Sequence, residues 1–152
     1  MSYNLTIHMH THLTELDIWN AQKKILNTRK LHKTTKDGKK IPKTPIKEGE
    51  IWWCKLGINI WDEIYGKWTE YTRPVVIIKK ISGYTCIVIP ATSEWKNGTW
   101  FYPLKIDHKD SFLILPQIRL VSTARFENKI EELSTEELQK IKKSAGEFYG
   151  FS

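Results

Sequence analysis

The run Arg73-Pro74-Val75-Val76-Ile77-Ile78-Lys79-Lys80-Ile81 constrains this chain more than any other stretch. It is short, rich in Val and Ile, and followed by Ser82-Gly83-Tyr84 and a second apolar run from Thr85 to Ile89. That length and composition predict two adjacent antiparallel strands joined by a hairpin turn. Pro74 fixes its own φ and biases Arg73 toward an extended conformation. The second strand runs out at Pro90 into Ala91-Thr92-Ser93-Glu94. The start of one hairpin strand lies beside the end of the next, so Arg73 is expected next to Thr92 and Ser93. A guanidinium and two hydroxyls would then converge at one rim of a small sheet, which suits a phosphate.

The neighbouring segments supply the rest of a small barrel. Glu50 to Leu56 reads as a strand with apolar residues on both faces, a pattern that implies burial on both sides. A long loop follows, Gly57 to Thr72, carrying Asp62, Glu63, Lys67 and Glu70 among Trp61, Tyr65, Trp68 and Tyr71. Long charged loops with aromatics are unusual without a purpose. Beyond Ser93, Trp95 to Trp100 reads as a turn, Trp100 to Ile106 as a strand, Asp107 to Asp110 as a turn and Ser111 to Leu115 as a strand. Gln117 to Val121 continues as an edge strand. Five strands are enough to close a small barrel. Ser134-Thr135-Glu136-Glu137 is a capping box, and Leu138, Ile141, Ala145 and Phe148 at helical spacing pack a last helix against it.

The amino-terminal third is of another kind. Thr14 with Asp17 approximates a capping box, and Ile18, Trp19, Ile25 and Leu26, bridged by Gln22, form an apolar stripe that predicts a helix docked on the barrel, with Trp19 as its packing anchor. Thr28 to Lys47 is a Lys-rich connector with an Asp37-Gly38 turn signal and Pro42 and Pro45 opposing helix. The formal charge of +7 is concentrated here: residues 1–48 hold ten Lys and Arg against four Asp and Glu. The connector either adds phosphate contacts to a nucleic-acid complex or is a solvated tether extended by its own charge. His8, His10 and His12 would share one face of an extended segment, but no carboxylate or thiol completes a metal site there, and a frayed polar terminus accounts for them better. The expected plan is an extension, residues 1–47, and a barrel domain, residues 48–152. The only cysteines are Cys54 and Cys86, both in strand-like runs, and neither a secretory segment nor an 18-residue apolar span occurs. Buried, reduced thiols in a cytoplasmic protein with no membrane attachment are expected.

Gly49-Glu50-Ile51-Trp52-Trp53-Cys54, the Gly57-x-Asn59-Ile60 turn, Glu63, Gly66-Lys67, Arg73-Pro74-Val75-Val76-Ile77, Ile89-Pro90-Ala91-Thr92-Ser93, Gln117-Ile118-Arg119-Leu120 and Lys129-Ile130 together resemble the MazF/PemK family of toxin endoribonucleases. Each piece is weak alone; their order and spacing are specific. The resemblance spans roughly the last two thirds of the chain. It implies a mainly β fold, a small SH3-like barrel flanked by an amino-terminal helix with its basic connector and a carboxy-terminal helix. It also implies a homodimer, a cognate antitoxin, DNA binding by the toxin–antitoxin complex, and cleavage of single-stranded RNA with no cofactor. The family's arginine falls on Arg73 and its hydroxyl on Thr92, with Ser93 second. The loop that covers the RNA groove in the family corresponds to Gly57 to Thr72. The resemblance thus sets Asn59, Trp61, Lys67 and Trp68 of this loop along the RNA, together with Glu94, Lys96, Gln117 and Arg119. For any single loop aromatic, folding back to seal the barrel is the simpler use, and a surface ion pair suits Arg119 equally well. Trp61 stands where the family pattern has Gly; such a turn often takes φ > 0, which Trp tolerates poorly.

The chemistry these residues permit is narrow. His108 is the only histidine outside the arm, so no histidine pair serves as acid and base, and neither a Walker loop nor a dinucleotide fingerprint occurs. What remains is transesterification, with Arg73 stabilising the charge-rich phosphorane and Thr92 or Ser93 bonding the phosphate or the attacking 2′-hydroxyl. Glu63, Asp62 and Glu70 are the carboxylates from which a general base would come. The competing expectation is a non-catalytic barrel that binds RNA or, like the CcdB toxins of the same fold, a protein target.

Overall fold

The computed structural model describes residues 15–28, 45–67 and 70–151. The histidines of the arm, most of the basic connector, Thr14 and Trp68 lie outside the described residues. Residues 15–28 form helix α1. Seven strands follow: β1 (Glu50–Lys55), β2 (Thr72–Lys80), β3 (Thr85–Thr92), β4 (Phe101–Ile106), β5 (Lys109–Ile114), β6 (Arg119–Ser122) and β7 (Phe126–Glu132), and then helix α2 (Thr135–Tyr149). All pairings are antiparallel, in the order β4-β5-β3-β2-β1-β7, with β6 on β3. The result is a curled half-barrel.

β2 is a near-continuous apolar run because both of its faces are buried. Val75 and Ile77 join Cys54, Leu56, Cys86, Val88, Val121 and Phe126 in one cluster. Val76 and Ile78 join Ile51, Ile89, Leu113 and Leu115 in a second, capped by Leu138, Ile141 and Ala145 of α2. Each fully buried Ile or Leu of this kind contributes roughly 1.5–3 kcal/mol. Cys54 and Cys86 are buried free thiols, pushed by burial up to about 12 and about 11. Ser134 caps α2 by accepting from the Glu137 N–H at 3.1 Å, as the capping box predicts. Glu50 of the Gly49-Glu50-Ile51-Trp52 motif is a latch: its buried carboxylate accepts from Lys129 Nζ at 2.8 Å, Trp52 Nε1 at 2.9 Å and Lys47 N at 3.0 Å.

Several expectations need correction. On α1 the stripe does not pack as a unit: Trp19 and Leu26 are buried, while Ile18 and Ile25 face solvent. Only a narrow strip of this helix meets the barrel. The second hairpin turns on two residues, Asp107 and His108, with φ of 49° and 61°, so Lys109 and Asp110 pair in β5 and are not part of the turn. A turn with two positive φ values matches the twist of the flanking strands. Gln117 lies in a 3-10 turn, Leu115–Gln117, that Pro116 initiates, and the strand after it begins at Arg119. β7 was not expected as a strand, because Phe126–Glu132 is dominated by charged side chains; its backbone pairs with β1 across a bulged register.

Candidate functional site

The site is built where β2 begins and β3 ends. Val75 pairs with Pro90 and Val76 with Ile89, which extends to Arg73 beside Thr92 as the hairpin predicts. Arg73 is half-buried. Its Nε–H donates to the Tyr65 carbonyl and its Nη1 to the Ala91 carbonyl at 3.5 Å. Burial lowers the Arg73 pKa, with the Glu94 carboxylate and Tyr65 acting in the opposite direction. An arginine stays charged against such effects, and its remaining donors are available to an anion. Thr92 is buried, and its Oγ1 accepts from the Glu94 N–H at 3.2 Å, which leaves its O–H free to donate. Ser93 is exposed at the rim.

Glu94 is the carboxylate that bears on Arg73. It joins Lys67 at 3.2 Å and Lys96 at 3.5 Å, and these two lysines hold its pKa below the usual carboxylate value. One carboxylate thereby ties the loop after β1 to the loop after β3. Two of the three carboxylates expected as bases are engaged elsewhere. Glu63 accepts from the Ile60 N–H at 3.2 Å within its own turn, and Glu70 pairs with Lys55 at 2.7 Å. Asp62 is exposed, and its backbone carbonyl accepts from Gln117 Nε2 at 3.0 Å.

Two residues expected along RNA brace the loop. Asn59 Nδ2 donates to the Ile64 carbonyl at 2.6 Å, and Gln117 Oε1 accepts from the Ile64 N–H at 3.3 Å. Trp61 has φ 50° and is 92% exposed, so its ring seals nothing. Trp95, on the opposite loop, is also exposed and meets Phe112 edge-on at 5.3 Å; Phe112 is the β5 partner of Thr92. Arg119 is half-buried in β6 opposite Val88 and forms no ion pair among the described residues. The Tyr65 and Ala91 carbonyls and the charge of Glu94 on Arg73 were missed in the sequence. The two carbonyls are backbone groups with no residue signature; Gly66, whose Cβ would lie 1.6 Å from the Tyr71 carbonyl oxygen, is the one trace of the tight loop that aims Tyr65.

A family model described as PemK-like, MazF-like toxin of type II toxin-antitoxin system matches residues 47–149. The chain belongs to this family. Among solved structures, MazF from Deinococcus radiodurans is 17% identical with a TM-score of 0.57, over 69% of this chain and 96% of that one. An endoribonuclease in complex with its cognate antitoxin from a mycobacterial species is 11% identical with a TM-score of 0.55, over 71% and 98%. The Mycobacterium tuberculosis toxin MazF-mt6 is 13% identical with a TM-score of 0.51, over 66% and 96%. At these identities the likeness is one of fold. Among curated protein sequences none matches. The matched segment begins after α1, which lies outside it. Among the described residues no helix is long and apolar enough to cross a membrane.

Proposed function

We propose that this MazF/PemK-like toxin is a sequence-preferring endoribonuclease that cleaves single-stranded RNA without a metal and thereby arrests growth. The observation that carries the reading is the half-buried Arg73, aimed by two backbone carbonyls at the strand end that holds Thr92. The ribose 2′-oxygen attacks the adjacent phosphorus as its proton passes to solvent; the bond from phosphorus to the 5′-oxygen breaks and the 5′-oxygen takes up a proton from solvent, leaving a 2′,3′-cyclic phosphate and a 5′-hydroxyl. Arg73 donates to the non-bridging oxygens as charge builds on them, the kind of preorganised donor whose loss costs about 10²–10³ in rate. Thr92 donates its O–H to the phosphate, with Ser93 as the second hydroxyl. Glu94, kept ionised by Lys67 and Lys96, is better placed than Glu63 to hold the attacking hydroxyl. Trp61 offers a face for an unpaired base.

The same reading makes the protein a cytoplasmic homodimer neutralised by a cognate antitoxin, with the toxin–antitoxin complex binding DNA. The antitoxin complexes among the neighbours of similar fold support the antitoxin partner. Light scattering at micromolar concentration checks the dimer, and a monomer there removes it. The enzyme is tested by incubating single-stranded RNA with the purified chain in excess EDTA. RNA that is bound but left intact would favour the non-catalytic binding module.

A further inference from the structure

Helix α1 meets the neck of the loop beside the proposed site chiefly through Trp19. Trp19 is 4% exposed, and its ring fills the space over Gly57. A Cβ on that glycine would lie 2.0 Å from Trp19 Cε2. Gly57 has φ 79°, so both its conformation and this close approach require glycine. The ring also meets Tyr71 edge-on at 5.9 Å, and the Arg125 guanidinium sits 5.7 Å from its centroid. Beside it, Gln22 Oε1 accepts at 3.3 Å from the Lys55 Nζ that pairs with Glu70.

Gly57, Glu70 and Tyr71 are the two ends of a single loop. The Leu56 and Gly57 N–H groups both donate to the Tyr71 carbonyl, at 3.0 and 3.2 Å, and the Gly66 N–H donates to the Gly57 carbonyl at 2.8 Å. Tyr65, next to Gly66, is the residue whose carbonyl takes the Arg73 Nε–H. A continuous path of packing and hydrogen bonds therefore runs from Trp19 through the loop neck to the guanidinium.

We propose that Trp19 is a positioning residue for Arg73, and that α1 is a clamp carried in cis that holds the neck of the Arg73 loop closed. The proposal rests on the reading of Arg73 as the phosphate-binding group. The clamp acts on geometry and adds no contact to RNA. Loss of the ring from the notch frees the loop ends, and a displacement of about 1 Å at a catalytic group costs up to about 10²-fold in rate.

The test compares the full-length wild type with Trp19→Ala and Trp19→Phe, by NMR and by RNA cleavage kinetics. In Trp19→Ala, exchange of the Arg73 Nε–H with solvent is expected to rise at least about tenfold, while the Ile89 and Leu113 amides of the core keep their protection. kcat falls about 10- to 100-fold with KM within about twofold, as expected when transition-state geometry alone is lost. Trp19→Phe, which keeps a ring over Gly57, falls between the two and serves as the readout should the alanine variant not fold. An unchanged Arg73 Nε–H overturns the proposal. So does a uniform loss of protection in the core, which would make Trp19 a general stability residue. If the wild type cleaves no RNA while the Arg73 Nε–H still responds to Trp19, the nuclease reading fails and the mechanical coupling stands.

Discussion

The Arg73 guanidinium is held by the backbone carbonyl of Tyr65, eight residues earlier in the chain and on the far side of the loop neck. A backbone acceptor fixes the orientation of the charge without neutralising it. A carboxylate in the same place would have consumed the cation that a phosphate needs.

Arg73→Ala is therefore expected to lower RNA cleavage by about 10²–10³-fold or more while the chain stays folded. Arg73→Lys should recover little, since a compact ammonium does not reproduce the guanidinium's fork of donors. Initial rates on a fluorogenic single-stranded RNA, with thermal melts alongside, check both. An unfolded Arg73→Ala protein would recast the residue as structural.

Trp61 has an unfavourable backbone and a fully presented ring, and the two are separable by Trp61→Gly. A non-glycine residue in the left-handed region costs roughly 1–2 kcal/mol, partly offset by the greater chain entropy of glycine, about 0.5–1 kcal/mol. The variant should be more stable by about 0.5–1 kcal/mol and bind single-stranded RNA more weakly by about 1–3 kcal/mol, the range for one stacked base. Urea melts and fluorescence anisotropy, the latter in an Arg73→Ala background, measure the two terms. Unchanged RNA affinity would remove Trp61 from the binding surface.

How much of this was legible in the sequence follows from which groups have a residue signature. The β2–β3 hairpin and the juxtaposition of Arg73 with Thr92 were legible, because strand alternation and a proline fix them locally. The Ser134 cap was legible for the same reason. The strain at Trp61 was legible from its substitution for a family glycine. Ile18 and Ile25 misled, because an apolar stripe gives the face of a helix and not the width of its contact. β7 was hidden because its pairing is a backbone property under charged side chains. Asn59 and Gln117 resembled RNA contacts by position, yet each has an amide that can serve a loop as readily as a base.

Glu48 links three parts of the fold, accepting from Lys142 of α2 at 2.8 Å and from the Lys80 N–H at 3.1 Å, with Lys79 at 3.5 Å. Its pKa is lowered from 4.5 to about 2, first by the Lys142 hydrogen bond and then by the Lys80 backbone N–H. A carboxylate with a depressed folded-state pKa contributes stability that is fully present above its unfolded value and is lost as pH falls through the folded one. The melting temperature should therefore fall between about pH 4.5 and pH 2. Glu48→Gln is expected to melt lower than wild type at pH 7 and to show a shallower decline through that window. Parallel acid limbs for the two proteins would show that this network adds nothing to stability.

In the proposed mechanism Arg73 and Thr92 serve an attack by the ribose 2′-oxygen on the neighbouring phosphate. The most direct measurement takes one single-stranded RNA that the toxin cuts, and the same strand with a single 2′-deoxyribose at the cut position, both in excess EDTA, with the product ends identified by mass. The first strand is expected to give 2′,3′-cyclic phosphate and 5′-hydroxyl ends, and the second no cut at that position. Cleavage of the deoxy-substituted strand, or 5′-phosphate ends that appear only when Mg²⁺ is added, would contradict it.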